Sequence, residues 1–232
     1  MLSDLVHETS LYADTSRASH NERFFKTKKG EYGAHDKFIG LTVPQVRTIA
    51  KKYKDLSLSE IEELLHSPIH EHRLCALIML VNRSKNTPIP DLTESKKLYV
   101  NNKKFVNNWD LVDISAHHIL GKWCYLTEND EVLKTLAHSD NLWDKRIAMV
   151  ATFAYIRNSE LSITFTIAQI LLHDSHDLIH KAVGWLLREA GKRDVKALEN
   201  FLNVHAKTMP RTALRYALEK FPSEKRALYM KK

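Results

Sequence analysis

Glycine and proline are scarce in this sequence, with six of each among 232 residues. Tight β-hairpin turns rely on glycine, and flexible or extended linkers are rich in glycine or proline, so neither feature is expected to be common. Leucine, alanine, lysine and glutamate, which favour helices, are plentiful. The composition therefore predicts an all-α protein, and the length suits one domain over residues 1–232 or one continuous solenoid.

Long apolar runs are also missing. No stretch of 18 consecutive apolar residues occurs, which excludes an ordinary transmembrane helix. Residues 1–8 lack the basic region and the apolar core that together mark a signal peptide. We therefore expect a cytoplasmic protein that has no membrane partner.

The few cysteines and the clustered histidines do not indicate a metal or disulfide site. Cys75 and Cys124 lie 49 residues apart in apolar stretches, which is typical of reduced thiols in a protein core. His173, His176 and His180 fall in a segment that predicts a loop and a helix N-cap, and no second cluster completes a ligand set. Glycine-rich phosphate loops, serine-nucleophile motifs and zinc spacings are absent, so we expect no metal and no cofactor.

The net charge of +7 is unevenly distributed. Residues 1–141 contain 19 Lys or Arg and 19 Asp or Glu, whereas residues 142–232 contain 16 and 9. A basic C-terminal part indicates a polyanionic partner, although many basic proteins bind none. In the other part, residues 21–33 predict a helix end that runs into a loop, where Lys28 and Lys29 could contact phosphates or remain solvated.

The first sixty residues predict short helices separated by polar turns. An amphipathic helix is expected from Leu2 to Leu11, followed by a polar stretch through His20. Residues 38–44 predict an extended turn that delivers Pro44 to the start of a helix ending near Tyr53.

From about residue 57 the chain repeats. Segments that open with a short polar turn and continue into a basic residue and an apolar helix recur at 71–76, 144–148, 179–183 and 210–214. The basic residues of the first two are 73 positions apart, or two units of about 36, and the later steps are 35 and 30. Partner helices are expected at 57–66, 92–106, 130–138, 160–172 and 194–207. Helix pairs at this period predict a HEAT-like α-solenoid, a superhelix of antiparallel pairs with a concave basic face.

In the predicted solenoid, one helix of each pair lies on the concave side, and the repeat aligns the starts of these inner helices. Trp109, Arg146, Lys181 and Arg211 then fall at comparable places on one concave surface, and Trp185 shares the helical face of Lys181. Such a surface suits a nucleic acid. Periodic arginines also serve repeat packing and tryptophans often lie in cores, so Arg146 and Trp185 fit both interpretations.

Residues 107–113 place an aromatic ring and two carboxylates at the start of an apolar helix. Asn108 is a suitable N-cap, which makes Trp109 and Asp113 neighbours one turn apart on one face. Asp110 lies where the helix dipole favours a carboxylate. Asp113 lies deeper in the helix, so its charge needs a partner, water or a function, and an Arg-paired or solvated Asp is the simpler alternative.

These segments resemble the AlkD-type DNA alkylation repair glycosylases. The resemblance spans residues 38–221 in order and rests on the strings at 109–113 (WDLVD), 141–148 (NLWDKRIA) and 181–189 (KAVGWLLRE). The chain departs from the family at Thr42, where the family has a glutamine, and in residues 28–33.

The resemblance implies a HEAT-like superhelix that binds duplex DNA and removes alkylated bases, notably 7-methylguanine and 3-methyladenine. It implies that Asp113 is the catalytic carboxylate and that Trp109 and Trp185 pack against the deoxyribose of the lesion. Arg146 would hold the neighbouring phosphate, and Arg188 would contact DNA. Lys181, Arg211, Lys28 and Lys29 are further candidate DNA contacts. A cofactor-free monomer is expected.

Two alternatives belong to other functional classes. One is a non-catalytic HEAT-like scaffold for DNA or protein, in which Asp113 is merely structural; such a scaffold has no need for the combination of Trp109, Asp113, Arg146 and Trp185. The other is an RNA-binding repeat protein, but the regular paired polar positions that read one base per repeat are absent.

Overall fold

The computed structural model describes residues 1–231, and none of these residues lies in a β-strand. A single isolated bridge joins Lys37 and Ile69. Helices account for most of the chain, so the predicted all-α, α-solenoid-like fold is confirmed. The chain divides into two compact units, Met1–Ile119 and the part that begins at Leu120.

Seven α-helices form the first unit. They are α1 (Leu2–Leu11), α2 (Thr15–Phe24), α3 (Val43–Lys52), α4 (Leu58–Leu65), α5 (His70–Ser84), α6 (Ile89–Asn101) and α7 (Trp109–Ser115). A 3₁₀ turn, Lys103–Phe105, follows α6, and a π-helical turn, His117–Gly121, follows α7.

The core of the first unit is organised around α5. Every residue from 70 to 81 is buried, including four with polar or charged side chains at 70–73. Helices α3, α4, α6 and α7 all pack against α5. A helix that is buried on all sides must find internal partners for its polar residues, and these partners define the site described below.

Nine α-helices follow among residues 120–231 of the second unit. They are α8 (Lys122–Thr127), α9 (Glu131–Ala137), α10 (Leu142–Ala151), α11 (Phe153–Arg157), α12 (Ser162–Ile170), α13 (Asp177–Arg193), α14 (Val195–His205), α15 (Arg211–Ala217) and α16 (Ser223–Lys231). The longest, α13, packs against α10, α11, α12, α14 and α15. Most of its apolar residues, among them Ile179, Val183 and Leu187, are buried.

The order of helices expected from the sequence is confirmed, whereas the HEAT repeat itself remains a prediction. The five expected partner helices correspond to α4, α6, α9, α12 and α14, and helices begin near the predicted inner positions. The expected helices at 2–11 and 44–53 also form. The concave basic face, the single-domain organisation and the monomeric state remain predictions.

One helix was not specified by the sequence. The polar stretch expected through His20 contains α2, which runs from Thr15 to Phe24 and so ends within residues 21–33, where the sequence predicts a helix end. None of its residues is buried, so hydrophobic periodicity gave no signal. Polar contacts support it instead: Asp14 accepts a hydrogen bond from the backbone of Arg17 at 2.9 Å, and the Arg17 guanidinium donates to the carbonyl of Gly40 at 2.6 Å.

Both cysteines are free thiols buried in the core, as predicted. Burial raises the pKa of the Cys75 thiol to about 12.

Among residues 1–231, the structure contains no helix with the length and apolar character needed to cross a bilayer.

Candidate functional site

Helix α7 carries the predicted carboxylate. Asn108 is fully buried in an extended conformation, and its side-chain oxygen accepts a hydrogen bond from the backbone of Trp109 at 2.9 Å, which confirms the predicted N-cap. Leu111 and Val112 face the core. Trp109 and Asp113 are half-buried, so both remain partly accessible to solvent one helical turn apart.

A buried histidine joins two carboxylates at the start of this helix. His70, the first residue of α5, places Nδ1 at 3.0 Å from Oδ2 of Asp36 and Nε2 at 2.8 Å from Oδ2 of Asp110. Only 2% of the His70 side chain is exposed. Asp110 is therefore fixed by a specific charged partner, in addition to its favourable place at the N-terminus of α7.

Arg73 and Asn108 complete the network around Asp36. Arg73 Nη2 forms a short ion pair with Oδ1 of Asp36, and Asn108 Nδ2 donates to Oδ2 of Asp36 at 3.1 Å. Asp36 and Arg73 are both buried. The N-cap residue of α7 is thus tied to the same carboxylate that holds His70.

Opposing effects determine the protonation of this network. Burial raises the pKa of Asp36, but the hydrogen bond from His70 and the charges of Arg73 and His70 outweigh burial and keep it below its usual value. Burial by itself lowers the pKa of His70, yet the charge and hydrogen bond of Asp110, reinforced by Asp36, raise it to about 9. His70 is consequently an imidazolium at neutral pH.

An aromatic cluster covers the network and contacts Trp109. The ring of Phe25 stacks on Trp109 with centroids 5.3 Å apart, and it lies 5.0 Å from His70 and 5.1 Å from Phe38. Phe24 meets Trp109 edge to face at 5.9 Å, and 56% of Phe24 is exposed. These contacts orient the Trp109 indole and leave an aromatic surface open beside it.

The loop after α2 folds back onto the end of that helix, where the backbone of Gly33 donates to the carbonyl of Lys26 at 3.0 Å. A Cβ at Gly33 would lie 2.2 Å from the carbonyl oxygen of Phe25, so only glycine permits the approach. Lys28 and Lys29 are exposed in this loop.

Thr42, the departure from the family pattern, is the N-cap of α3 and forms a capping box with Gln45.

In the second unit, Arg146 is buried on α10. Only 5% of this residue is exposed, and Nη1 donates to the carbonyl of Leu178 at 2.6 Å. The contact links α10 to the first turn of α13, as the packing alternative expects. The phosphate contact predicted for Arg146 remains a prediction.

The other predicted cations of the second unit have acidic or carbonyl partners. Lys181 pairs with Asp177 at 2.8 Å across one turn of α13. Arg188 forms a short ion pair with Glu219 and a second one with Glu189 at 3.2 Å. Arg211 is exposed and donates to the carbonyl of Met230 at 2.8 Å. A bound phosphate would have to compete with these contacts.

Trp185 is half-buried at the middle of α13. Its ring lies 6.0 Å from that of Phe153. The preceding residue, Gly184, allows α13 to approach α15 closely, because a Cβ there would lie 2.5 Å from both the carbonyl oxygen of Ala213 and Cβ of Tyr216. This packing fixes the part of α13 that carries Trp185.

The histidines on either side of the α13 start have structural roles. His176 is the N-cap of α13, as predicted, and Nε2 of His180 lies 2.5 Å from the carbonyl of Asp174. Across residues 1–231, no group of three His, Cys, Asp or Glu side chains is arranged to hold a metal ion.

The sequence matches the family described as DNA alkylation repair enzyme over residues 7–221. The chain belongs to this family. A solved structure described as a predicted DNA alkylation repair enzyme from Enterococcus faecalis has a similar fold, with a TM-score of 0.73 and 16% identity over 91% of this chain and 97% of that one. No curated protein matches the sequence significantly.

For a DNA alkylation repair enzyme, the most informative residues missed by sequence reasoning are Asp36 and His70. They lie 34 positions apart, and Asp110 follows His70 by 40, so no local motif connects them. One signal was available. His70 and Asp110 both stand near the start of consecutive inner helices, where a repeat architecture places side chains next to each other.

Proposed function

We propose that this DNA alkylation repair protein is a monofunctional DNA glycosylase that excises cationic alkylated purines, notably 7-methylguanine and 3-methyladenine, from duplex DNA. The observation that carries the proposal is Asp113. This carboxylate is half-buried one turn after Trp109, on a helix whose first residues are fixed by a buried charged network. The family membership supports a role in alkylation repair.

The chemistry needs few groups. A purine alkylated at a ring nitrogen is cationic and leaves as a neutral base when its bond to C1′ breaks, so no general acid is required. The sugar develops oxocarbenium character, and water then adds to C1′ and loses a proton. We assign Asp113 the stabilisation of this positive charge and the orientation of the water. The face of Trp109 adds a cation–π attraction to the same charge.

The remaining roles concern DNA binding. We assign Trp185 a second contact to the deoxyribose and Arg146 a contact to the neighbouring phosphate. Arg188, Lys181, Arg211, Lys28 and Lys29 would contact the backbone. Phosphate contacts supply affinity that depends on salt, without reading sequence. Because these side chains grip sugar and phosphate and none is assigned to a base edge, we propose excision without flipping the lesion into a pocket.

The competing proposal is a HEAT-like scaffold for DNA or protein without catalysis. The burial of Arg146 and the ion pairs of Arg188 count against the phosphate contacts assigned to these side chains, because both already have partners in the protein, and a protein-binding scaffold needs no such contacts. Incubating the purified protein with methylated duplex DNA and separating the released bases by chromatography distinguishes the two. Release above the rate without protein supports the glycosylase, and release at the spontaneous rate supports the scaffold.

A further inference from the structure

Both ring nitrogens of His70 face carboxylate oxygens within hydrogen-bond distance. An ionised carboxylate only accepts hydrogen bonds, and a neutral imidazole has a single N–H. A neutral His70 would therefore turn one nitrogen lone pair toward a carboxylate. The geometry calls for the imidazolium, which donates to Asp36 and Asp110 at the same time.

The cluster around His70 is electrically balanced. Two carboxylates, Asp36 from the segment before α3 and Asp110 from α7, face two cations of α5, His70 and Arg73. The other carboxylate near the start of α5, Glu71, turns away and accepts from the backbones of Ile39 and Gly40. The rings of Phe25 and Phe38 that flank His70 are uncharged, as is Asn108.

His70 is the principal counter-charge of Asp110. Oδ1 of Asp110 is buried, and among residues 1–231 no group donates a hydrogen bond to it. Oδ2 accepts from His70. Loss of the His70 proton would leave a net negative charge inside the protein at the first turn of α7, which a low-dielectric interior strongly disfavours.

We propose that His70 is a positioning residue for base excision: as an imidazolium it ties the first turn of α7 to α5 and thereby holds Trp109 and Asp113 in place. This inference rests on the proposed glycosylase function. Helix α7 has only seven residues, and its start is tied through Asn108 to Asp36 and through Asp110 to His70. Asp113 follows Asp110 by three residues, so a displacement of that turn moves the carboxylate with it.

Small displacements of such a group have large effects. A misplacement of about 1 Å can reduce a reaction rate roughly a hundredfold. DNA affinity depends mainly on phosphate contacts elsewhere and should respond much less. The raised pKa of His70, about 9, agrees with a charged tie throughout the neutral range.

The first test compares two histidine variants of the same helix. His70→Gln keeps polar atoms but cannot carry the charge, and we expect its single-turnover excision to fall about 10- to 100-fold while duplex affinity changes less than about threefold. His72→Gln is the matched control. His72 is also buried, but its ring nitrogens bond to the hydroxyls of Thr9 and Ser67 and not to a carboxylate of α7, so excision should stay near the wild-type rate.

The second test is the pH profile. After subtraction of the rate without protein, wild-type excision should fall as pH rises through about 9, whereas His70→Gln should lack this fall. Asp110→Asn keeps an acceptor for His70 and removes one carboxylate charge, so its fall should move to lower pH. This variant decides the matter if His70→Gln does not fold. Wild-type excision and an unchanged profile in either variant overturn the proposal.

A nitrogen NMR titration of the full chain reads the His70 ring without substrate. Protons on both ring nitrogens at pH 7 support the charged tie, and a neutral ring at pH 7 overturns it. A wild-type protein that releases no base overturns the proposed function, and the titration still decides the charge of His70. The two failures are therefore distinguishable.

Discussion

His70 and His72 lie two residues apart on α5, both buried, yet their pKa values are shifted in opposite directions. His70 meets two carboxylates, which raise its pKa to about 9. His72 meets two hydroxyls, and burial together with the charge of Arg73 lowers its pKa. The partners supplied by neighbouring segments, rather than burial itself, determine whether a core histidine holds its proton.

The stability of the protein should therefore fall between pH 6.5 and about 9. A group whose pKa is raised on folding stabilises the native state fully below its unfolded pKa, and this contribution is lost as pH rises through the folded value. For His70 the loss amounts to about 3 kcal/mol in the free energy of unfolding. Denaturant unfolding at several pH values measures it. The free energy of unfolding of His70→Gln should depend less on pH in this window. His72→Gln should keep the wild-type dependence here, because the lowered pKa of His72 affects stability only below pH 6.5. Equal slopes in wild type and His70→Gln would contradict the assignment.

Replacing Asp113 by Asn should slow excision roughly ten- to a thousandfold. The substitution preserves shape and removes the charge that we propose stabilises the developing oxocarbenium. A loss of this size is expected when one preorganised electrostatic partner is removed. Duplex binding should survive, because phosphates dominate affinity. Single-turnover base release and a binding titration on the same preparation check both statements. Full activity in the variant would refute the catalytic role of Asp113.

Arg146→Ala should change stability and DNA binding together. The variant removes a charged hydrogen bond to the Leu178 carbonyl inside the core, which costs about 2 kcal/mol in the free energy of unfolding. If Arg146 also contacts a phosphate, as proposed, the slope of log affinity against log salt should decrease by about one. Arg146→Lys, which keeps the charge, serves as the control for the slope. A large loss of stability with an unaltered slope would identify Arg146 as a packing residue.

Gly184→Ala should destabilise the second unit by about 1–3 kcal/mol, because the added methyl group meets the backbone of α15. Gly191→Ala is a matched control on the same helix. Its methyl group meets the end of the flexible Leu198 side chain, which can rotate, so we expect a smaller loss. Thermal unfolding of both variants tests the difference. Comparable stabilities would show that α13 and α15 can separate without cost.

Substrate range follows from the proposed chemistry. Without a pocket that surrounds the base, selectivity comes mainly from the lability of a cationic nucleotide. We expect excision of 7-methylguanine and of some bulky cationic adducts, with negligible action on neutral lesions such as uracil or hypoxanthine. Single-turnover release from matched duplexes provides the comparison. Uracil removed as fast as 7-methylguanine would rule out this mode of selection.

The sequence predicted helices where a buried face repeats and missed structure where polar contacts replace it. Helices α4, α6, α9, α12 and α14 were predicted because their apolar residues recur with the repeat. Helix α2 buries none of its residues, so its cap at Asp14 and the contact of Arg17 with Gly40 could not be recognised in advance.

The candidate site was predictable only within one helix. Trp109 and Asp113 share a face through local spacing, and Asn108 has the side chain of an N-cap. The His70 network depends on three segments brought together by folding, and its charge depends on burial. Arg146 offered a choice between packing and DNA binding, because an arginine near a helix start serves either role.

The burial of the two cysteines affects how this protein withstands the alkylating agents whose damage to DNA an alkylation repair protein corrects. Electrophiles that methylate DNA also attack thiolates, the most nucleophilic groups of most proteins. Cys75 and Cys124 are the only cysteines of this chain, and both are sealed in helical cores. With the pKa of Cys75 near 12, almost none of that thiol is ionised at physiological pH. An exposure that damages the genome should therefore leave these two sulfur atoms unmodified while the protein remains folded.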